Sequence, residues 1–198
     1  MALEEMAGAI EGISGGGSDE DFIAVIERTA TDVTLPEGLT SIGDTAFYNY
    51  ANLAFISLPD GLTSIGNDAF YGCTSLAFIS LPDGLTSIHG NAFYGCSELA
   101  LTSLPEGLTS IGYNAFEGCT SLALTSLPYW LTSIGSYAFQ SCTSLTAITF
   151  KSKPTTISSS AFNGCTNLLT INVPWAEGEV ANAPWGATKA TINYNYTG

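Results

Sequence analysis

Five cysteines, a single histidine and a row of carboxylates are the side chains here with the means to do chemistry. Cys73, Cys96, Cys119, Cys142 and Cys165 recur every 23 residues. Their number is odd and no CxxC spacing occurs, which disfavours a zinc site. Stacking at that step brings neighbouring Cα atoms within disulfide range. Their side chains would point the same way into a core, so buried free thiols acting as small hydrophobes are predicted. His89 stands where Gly43, Gly66, Gly112 and Gly135 stand. A triad needs a histidine with a nucleophile and an acid. Serines abound but none is singled out, so His89 is predicted to be a surface substitution at a strand exit. Glu37, Asp60, Asp83 and Glu106 follow the same 23-residue step. A calcium ion would relieve their repulsion, but calcium takes more oxygens than one carboxylate per turn. They are predicted to be solvated turn residues. The sequence therefore predicts no catalytic residues, no metal and no cofactor.

The step itself is the larger signal. Phe47, Phe70, Phe93, Phe116, Phe139 and Phe162 are each 23 residues apart, as are Ile42, Ile65, Ile88, Ile111, Ile134 and Ile157. Leu35, Leu58, Leu81, Leu104 and Leu127 form a third column, continued by Phe150 and Val173, and Leu53 to Leu168 a fourth. A fixed period of this length means a solenoid of stacked coils, because no single coil can bury its own apolar face. Six coils are predicted from Leu35 to Asn172. Each has a strand tail and a Pro-acid-Gly turn, as at Pro59, then a second short strand in LTSIG. A helical turn carrying Ala-Phe follows, and Gly-Cys ends it. Matching strands should pair in parallel at ~4.8 Å. In coils three and four, Thr102 and Thr125 replace the strand isoleucine while Leu101 and Leu124 sit one place earlier, which predicts a bulge or rotation there.

The formal net charge of −14 argues against nucleic acid and anionic lipid as partners. Between Arg28 and Lys151 there is no Lys or Arg. No apolar run approaches a membrane span, and the first residues lack the basic region of a signal peptide. Residues 1–18 read as an N-terminal helix and Gly-rich linker, 19–34 as an N-terminal cap, 35–172 as the solenoid and 173–198 as a C-terminal cap. Leu3, Met6, Ile10 and Ile13 have the spacing of a coiled-coil seam, so they are predicted either to pack on the stack or to drive homo-oligomerisation. ATINYNY, from Ala190 to Tyr196, alternates like an edge strand.

Segments such as LPDGLTSIGNDAFYGCTSL resemble the BspA-like, or treponemal, class of bacterial leucine-rich repeats, over roughly residues 33–174. The resemblance implies a right-handed parallel leucine-rich-repeat solenoid with no catalytic residues. It implies an extracellular setting, on a bacterial surface or a phage particle. The flanking segments also resemble those of short phage and prophage proteins of this class.

The acidic turn column turns aromatic towards the C-terminus, running Glu106, Tyr129, Ser152, Trp175 beside Gly107, Trp130, Lys153, Ala176. Tyr129, Trp130, Lys153 and Trp175 are predicted to cluster at one corner as a binding site, since Trp and Tyr bury rigid area at low entropic cost. The competing expectation is that these rings are covered by the tail. Tyr48, Tyr71 and Tyr94 form a second candidate row. The expected function is non-catalytic recognition of a protein or glycan through the repeat face. The alternative is an architectural subunit that assembles through its N-terminal helix or solenoid ends.

Overall fold

Each coil begins where a β-branched residue is flanked by outward neighbours, as in Phe55–Ile56–Ser57, where Ile56 alone is buried. The computed structural model describes residues 29–197. These form a parallel β-solenoid of about seven coils. One ladder is built from the Ser-Ile pairs of LTSIG. It runs unbroken through β2 (Ser41–Ile42), β4 (Ser64–Ile65), β6 (Ser87–Ile88), β7 (Ser110–Ile111), β9 (Ser133–Ile134) and β11 (Thr156–Ile157). Every pair is in register at a 23-residue offset, such as Ile65 with Ile88. Beside it, threonine hydroxyls repeat the step: Thr86 Oγ1 donates to Thr63 C=O at 3.0 Å and Thr109 Oγ1 to Thr86 C=O at 2.9 Å.

The second ladder is split. β1 (Asp32–Thr34), β3 (Phe55–Ser57) and β5 (Phe78–Ser80) form one sheet. β8 (Ser126–Leu127), β10 (Ala147–Phe150), β12 (Thr170–Asn172) and β13 (Thr191–Asn193) form another. Residues 101–103 between them form no strand. The cause is the one-place shift seen in the sequence. Leu124 is buried and Thr125 exposed, and Leu101 packs against the core while Thr102 faces solvent. A one-residue slip turns the opposite face of the chain inward, so these segments lose register with their neighbours.

The expected helical turns are corrected. Among the described residues there is no α-helix. In the Asp68–Leu76 segment, Tyr71 N–H bonds Asp68 C=O at 3.1 Å and Cys73 N–H bonds Phe70 C=O at 3.2 Å. The alternate amides of Asp68, Phe70 and Gly72 donate instead to Gly90, Ala92 and Tyr94 of the next coil, at 2.7 to 3.0 Å. With every second donor spent between coils, no i→i−4 ladder can form. Asp68 and Gly72 also have φ of 55° and 70°. Asn and Asp tolerate that left-handed region, which explains the Asp68, Asn91, Asn114 column. The proposed helix and its stripe of Leu3, Met6, Ile10 and Ile13 lie outside the described residues.

The core is the stack of columns. All six phenylalanines of the 23-residue series are buried, with successive rings stacked at centroid distances of 5.1 to 5.5 Å. Gly112 shows how closely the coils approach, since a Cβ there would lie 2.6 Å from the backbone of His89 and Gly90. The C-terminal tail is itself a shortened coil. Trp185 stands one period after Phe162, is buried, and its carbonyl accepts from Phe162 N–H at 2.9 Å. Ala187 takes the cysteine position and Ile192 pairs with Ile171. Two residues are dropped on the way, so the final offset is 21 (192 − 171). Truncating Trp185 to Ala should therefore open the end locally. Hydrogen exchange should show Thr191–Asn193 losing protection while Phe47–Ile65 keeps it; uniform loss along the chain would refute this.

Candidate binding surface

The corner predicted to gather four residues gathers fewer. Tyr129 and Trp130 occupy the turn after β8 and are 53% and 64% exposed. They meet edge to face, with centroids 5.1 Å apart. The backbone holds them well: Glu106 Oε2 accepts Tyr129 N–H at 3.2 Å, and Ser152 Oγ donates to Tyr129 C=O. Lys151 reaches the same Glu106 carboxylate. Its hydrogen bond holds Glu106 below the usual glutamate pKa.

Trp175 is corrected out of this surface. It is 5% exposed and packs edge to face on Phe150, at 5.4 Å, and on Trp185, at 6.4 Å. The tail covers it, because the last coil would otherwise leave Phe150 open at the end of the stack. Lys153 does not lie over the Trp130 ring. Its ammonium pairs with Glu179 at 2.7 Å, and this bond lowers the Glu179 pKa. Tyr48, Tyr71 and Tyr94 do come together, as a stack with centroids 4.9 and 4.6 Å apart. They lie on the turn after the unbroken ladder, a different corner from Tyr129. The column continues as Glu117 and Gln140, whose side chains bond at 2.9 Å. Desolvation raises the pKa of both Tyr71 and Glu117.

The five thiols are buried and unbridged. Each Sγ–H donates to the phenylalanine carbonyl of the preceding coil, as Cys119 to Phe93 at 3.1 Å. Burial pushes Cys73 up to about 12 and Cys165 to about 11, and the three between well above a free thiol. Such thiols are poor nucleophiles and poor ligands. His89 is exposed, with Nε2 3.4 Å from Ser87 Oγ. That proximity was not read from the sequence, although strand alternation puts residues two apart on one face. No carboxylate bonds the His89 ring among the described residues, so a Ser–His pair without its acid is what the geometry provides. No three His, Cys, Asp or Glu side chains among the described residues converge on a metal-sized site.

Sequence reading also missed two outward phenylalanines. Phe55 and Phe78 are 40% and 68% exposed on adjacent strands of the split ladder. Their alternation with buried Ile56 and Ile79 was the available signal.

The model of the BspA type leucine rich repeat region matches residues 27–123 and 63–181, in six copies. The chain belongs to the BspA-type leucine-rich repeat family. Among solved structures it is similar to the Treponema pallidum leucine rich repeat protein TpLRR, at 36% identity and a TM-score of 0.66, over 73% of this chain and 72% of that one. It is similar to a leucine-rich repeat protein from Bacteroides ovatus, at 31% identity and 0.61, over 71% of this chain and 39% of that one. A leucine rich cell surface protein from Faecalibacterium prausnitzii aligns at 31% identity and 0.57, over 73% and 48%. This BspA-type chain thus spans less than half of the latter two. No curated protein matches it. Leucine-rich repeats of this family typically serve protein binding or adhesion.

Proposed function

We propose that this chain is a non-catalytic recognition module, displayed outside a bacterial cell or on a phage particle, that holds a protein or glycan through its repeat surface. The observation that carries this reading is the Tyr129–Trp130 pair, two large rings left in solvent on a turn fixed by hydrogen bonds to both adjacent coils. Rigid exposed aromatics lose little entropy on binding, and Trp and Tyr dominate binding hot spots. The Tyr48, Tyr71 and Tyr94 stack is the second contact row. Its rings stack, and Tyr48 is exposed. The Faecalibacterium relative is described as a cell surface protein, which supports the extracellular setting.

The test is a cell-binding assay paired with a glycan array, using the parent and the Tyr129→Ala/Trp130→Ala double variant. Removing a hot-spot pair should weaken binding by about 30-fold or more, equivalent to ~2 kcal/mol. A glycan signal lost in the variant assigns a sugar, and cell binding without a glycan signal assigns a protein. If the variant folds and binds as the parent does, this corner is not the site.

A further inference from the structure

The split in the second ladder leaves a groove. It has a volume of about 370 Å³ and lies between Ile79–Asp83 and the segment one coil further on, from Leu101 to Glu106. Along its first wall runs the edge of β5, which pairs with β3 on one side and with no strand on the other. In a parallel ladder, alternate residues turn both backbone groups to the same neighbour. Phe78 N–H is spent on Ala54 C=O at 3.2 Å. Ile79 therefore offers its N–H and C=O to the free side, where its counterpart Ile56 meets β5. No backbone hydrogen bond crosses from residues 78–81 to residues 100–104 among the described residues.

We propose that this parting is a docking site for a short extended peptide carrying a Lys or Arg, which adds as a strand to the free edge of β5. An exposed strand edge is a template for pairing with another chain, and main-chain bonds then supply the affinity. The charge requirement comes from the rim. Asp83 and Glu106 both line the groove. Glu106 is engaged by Lys151, whereas no ion pair forms at Asp83 among the described residues. Between residues 29 and 150 the chain has no Lys or Arg to offer it. Exposed Phe78, on the same strand, adds an apolar contact for the neighbouring side chain of the peptide. The chain's own N-terminal residues 1–28 fit badly, since they carry seven acids (Glu4, Glu5, Glu11, Asp19, Glu20, Asp21, Glu27) against Arg28. A second copy of this acidic chain is disfavoured for the same reason.

The groove adjoins the Tyr129–Trp130 corner through Glu106, but its chemistry does not depend on that pair. The two readings fail separately. The probe is a fluorescein-labelled heptapeptide of alternating Val and Thr with a central Arg, measured by anisotropy against the full chain. The control is the same peptide with Glu in the centre. The Arg peptide should bind in the micromolar to millimolar range and the Glu peptide at least several-fold more weakly, with the difference shrinking in salt. Asp83→Asn should weaken the Arg peptide about two- to fivefold, the range of an exposed ion pair. Leu101→Phe/Thr102→Ile rewrites Ala100–Ser103 as the Ala77–Ser80 sequence, which should restore register, close the ladder and abolish binding. Tyr129→Ala/Trp130→Ala should leave peptide binding unchanged. Hydrogen exchange adds a check that does not need the repaired variant: the Ile79 amide should exchange readily in the free protein and be protected by the peptide. Failure of the Arg peptide to bind, equal binding of the Glu peptide, or full binding by the repaired variant would each overturn the proposal.

Discussion

Phe93→Ala lowers the free energy of unfolding by about 3 to 5 kcal/mol, the range for truncating a buried phenylalanine. Phe93 has no exposed surface and lies mid-column, with Phe70 at 5.1 Å on one side and Phe116 at 5.3 Å on the other. The void cannot collapse easily. The flanking coils are pinned by Phe70 N–H to Ala92 C=O at 2.7 Å and Phe93 N–H to Ala115 C=O at 2.8 Å. Because coils contact only their neighbours, the weakened one also uncouples the two halves of the stack. Urea denaturation should show a lower midpoint and a broader transition. A loss under about 1 kcal/mol, with an unchanged slope, would mean that the column does not hold the coils together.

A second large effect is expected in alkali. The folded chain holds its thiols protonated, with Cys73 raised to about 12, Cys165 to about 11 and the others in the same direction, against 9.0 for an ordinary thiol. Below pH 9 both folded and unfolded chains keep these protons, and the stability is intact. Above it the unfolded chain releases them and the folded chain does not. Stability should therefore fall as pH rises from 9 towards 11 or 12, by about 1.4 kcal/mol per thiol for each unit. Cys96, Cys119 and Cys142 add to the fall in the same direction. The urea midpoint at pH 10 should lie well below that at pH 7.5, and Cys119→Ala should make the drop shallower. A thiol reagent at pH 7.5 should label nothing until urea is added. Equal midpoints, or rapid labelling of the folded protein, would show the thiols to be accessible.

The 23-residue columns made the solenoid legible because each apolar position answers one neighbour at a constant offset. Even the fault at Leu101 and Thr102 could be read, since an apolar residue moved by one place must turn the strand. The turns were not legible as turns. Asp68-Ala69-Phe70-Tyr71 has the composition of a helical turn, and what decides against it is the demand of the next coil for alternate amides. The last coil was legible in part: its edge strand was read in ATINYNY, and β13 stands there, but its place on the grid was not. Trp185, Ala187 and Ile192 continue three columns, but two dropped residues carry Ile192 off the 23-residue grid. The aromatic corner was half legible. Tyr129 and Trp175 share a column, and the sequence left two expectations for it, a shared exposed corner or rings covered by the tail. Trp175 follows the second and covers Phe150, while Tyr129 stays exposed.

The threonine ladder that links Thr63, Thr86 and Thr109 has a consequence for how such a chain changes over generations. Each hydroxyl answers the carbonyl one period behind it and asks nothing of the coil beyond. A gene segment encoding one period can therefore be duplicated or lost at its boundaries with every donor finding an equivalent acceptor in the shortened or lengthened product. Length becomes a quantity that recombination adjusts in whole units, while the ends and the Leu101 fault keep their own local character.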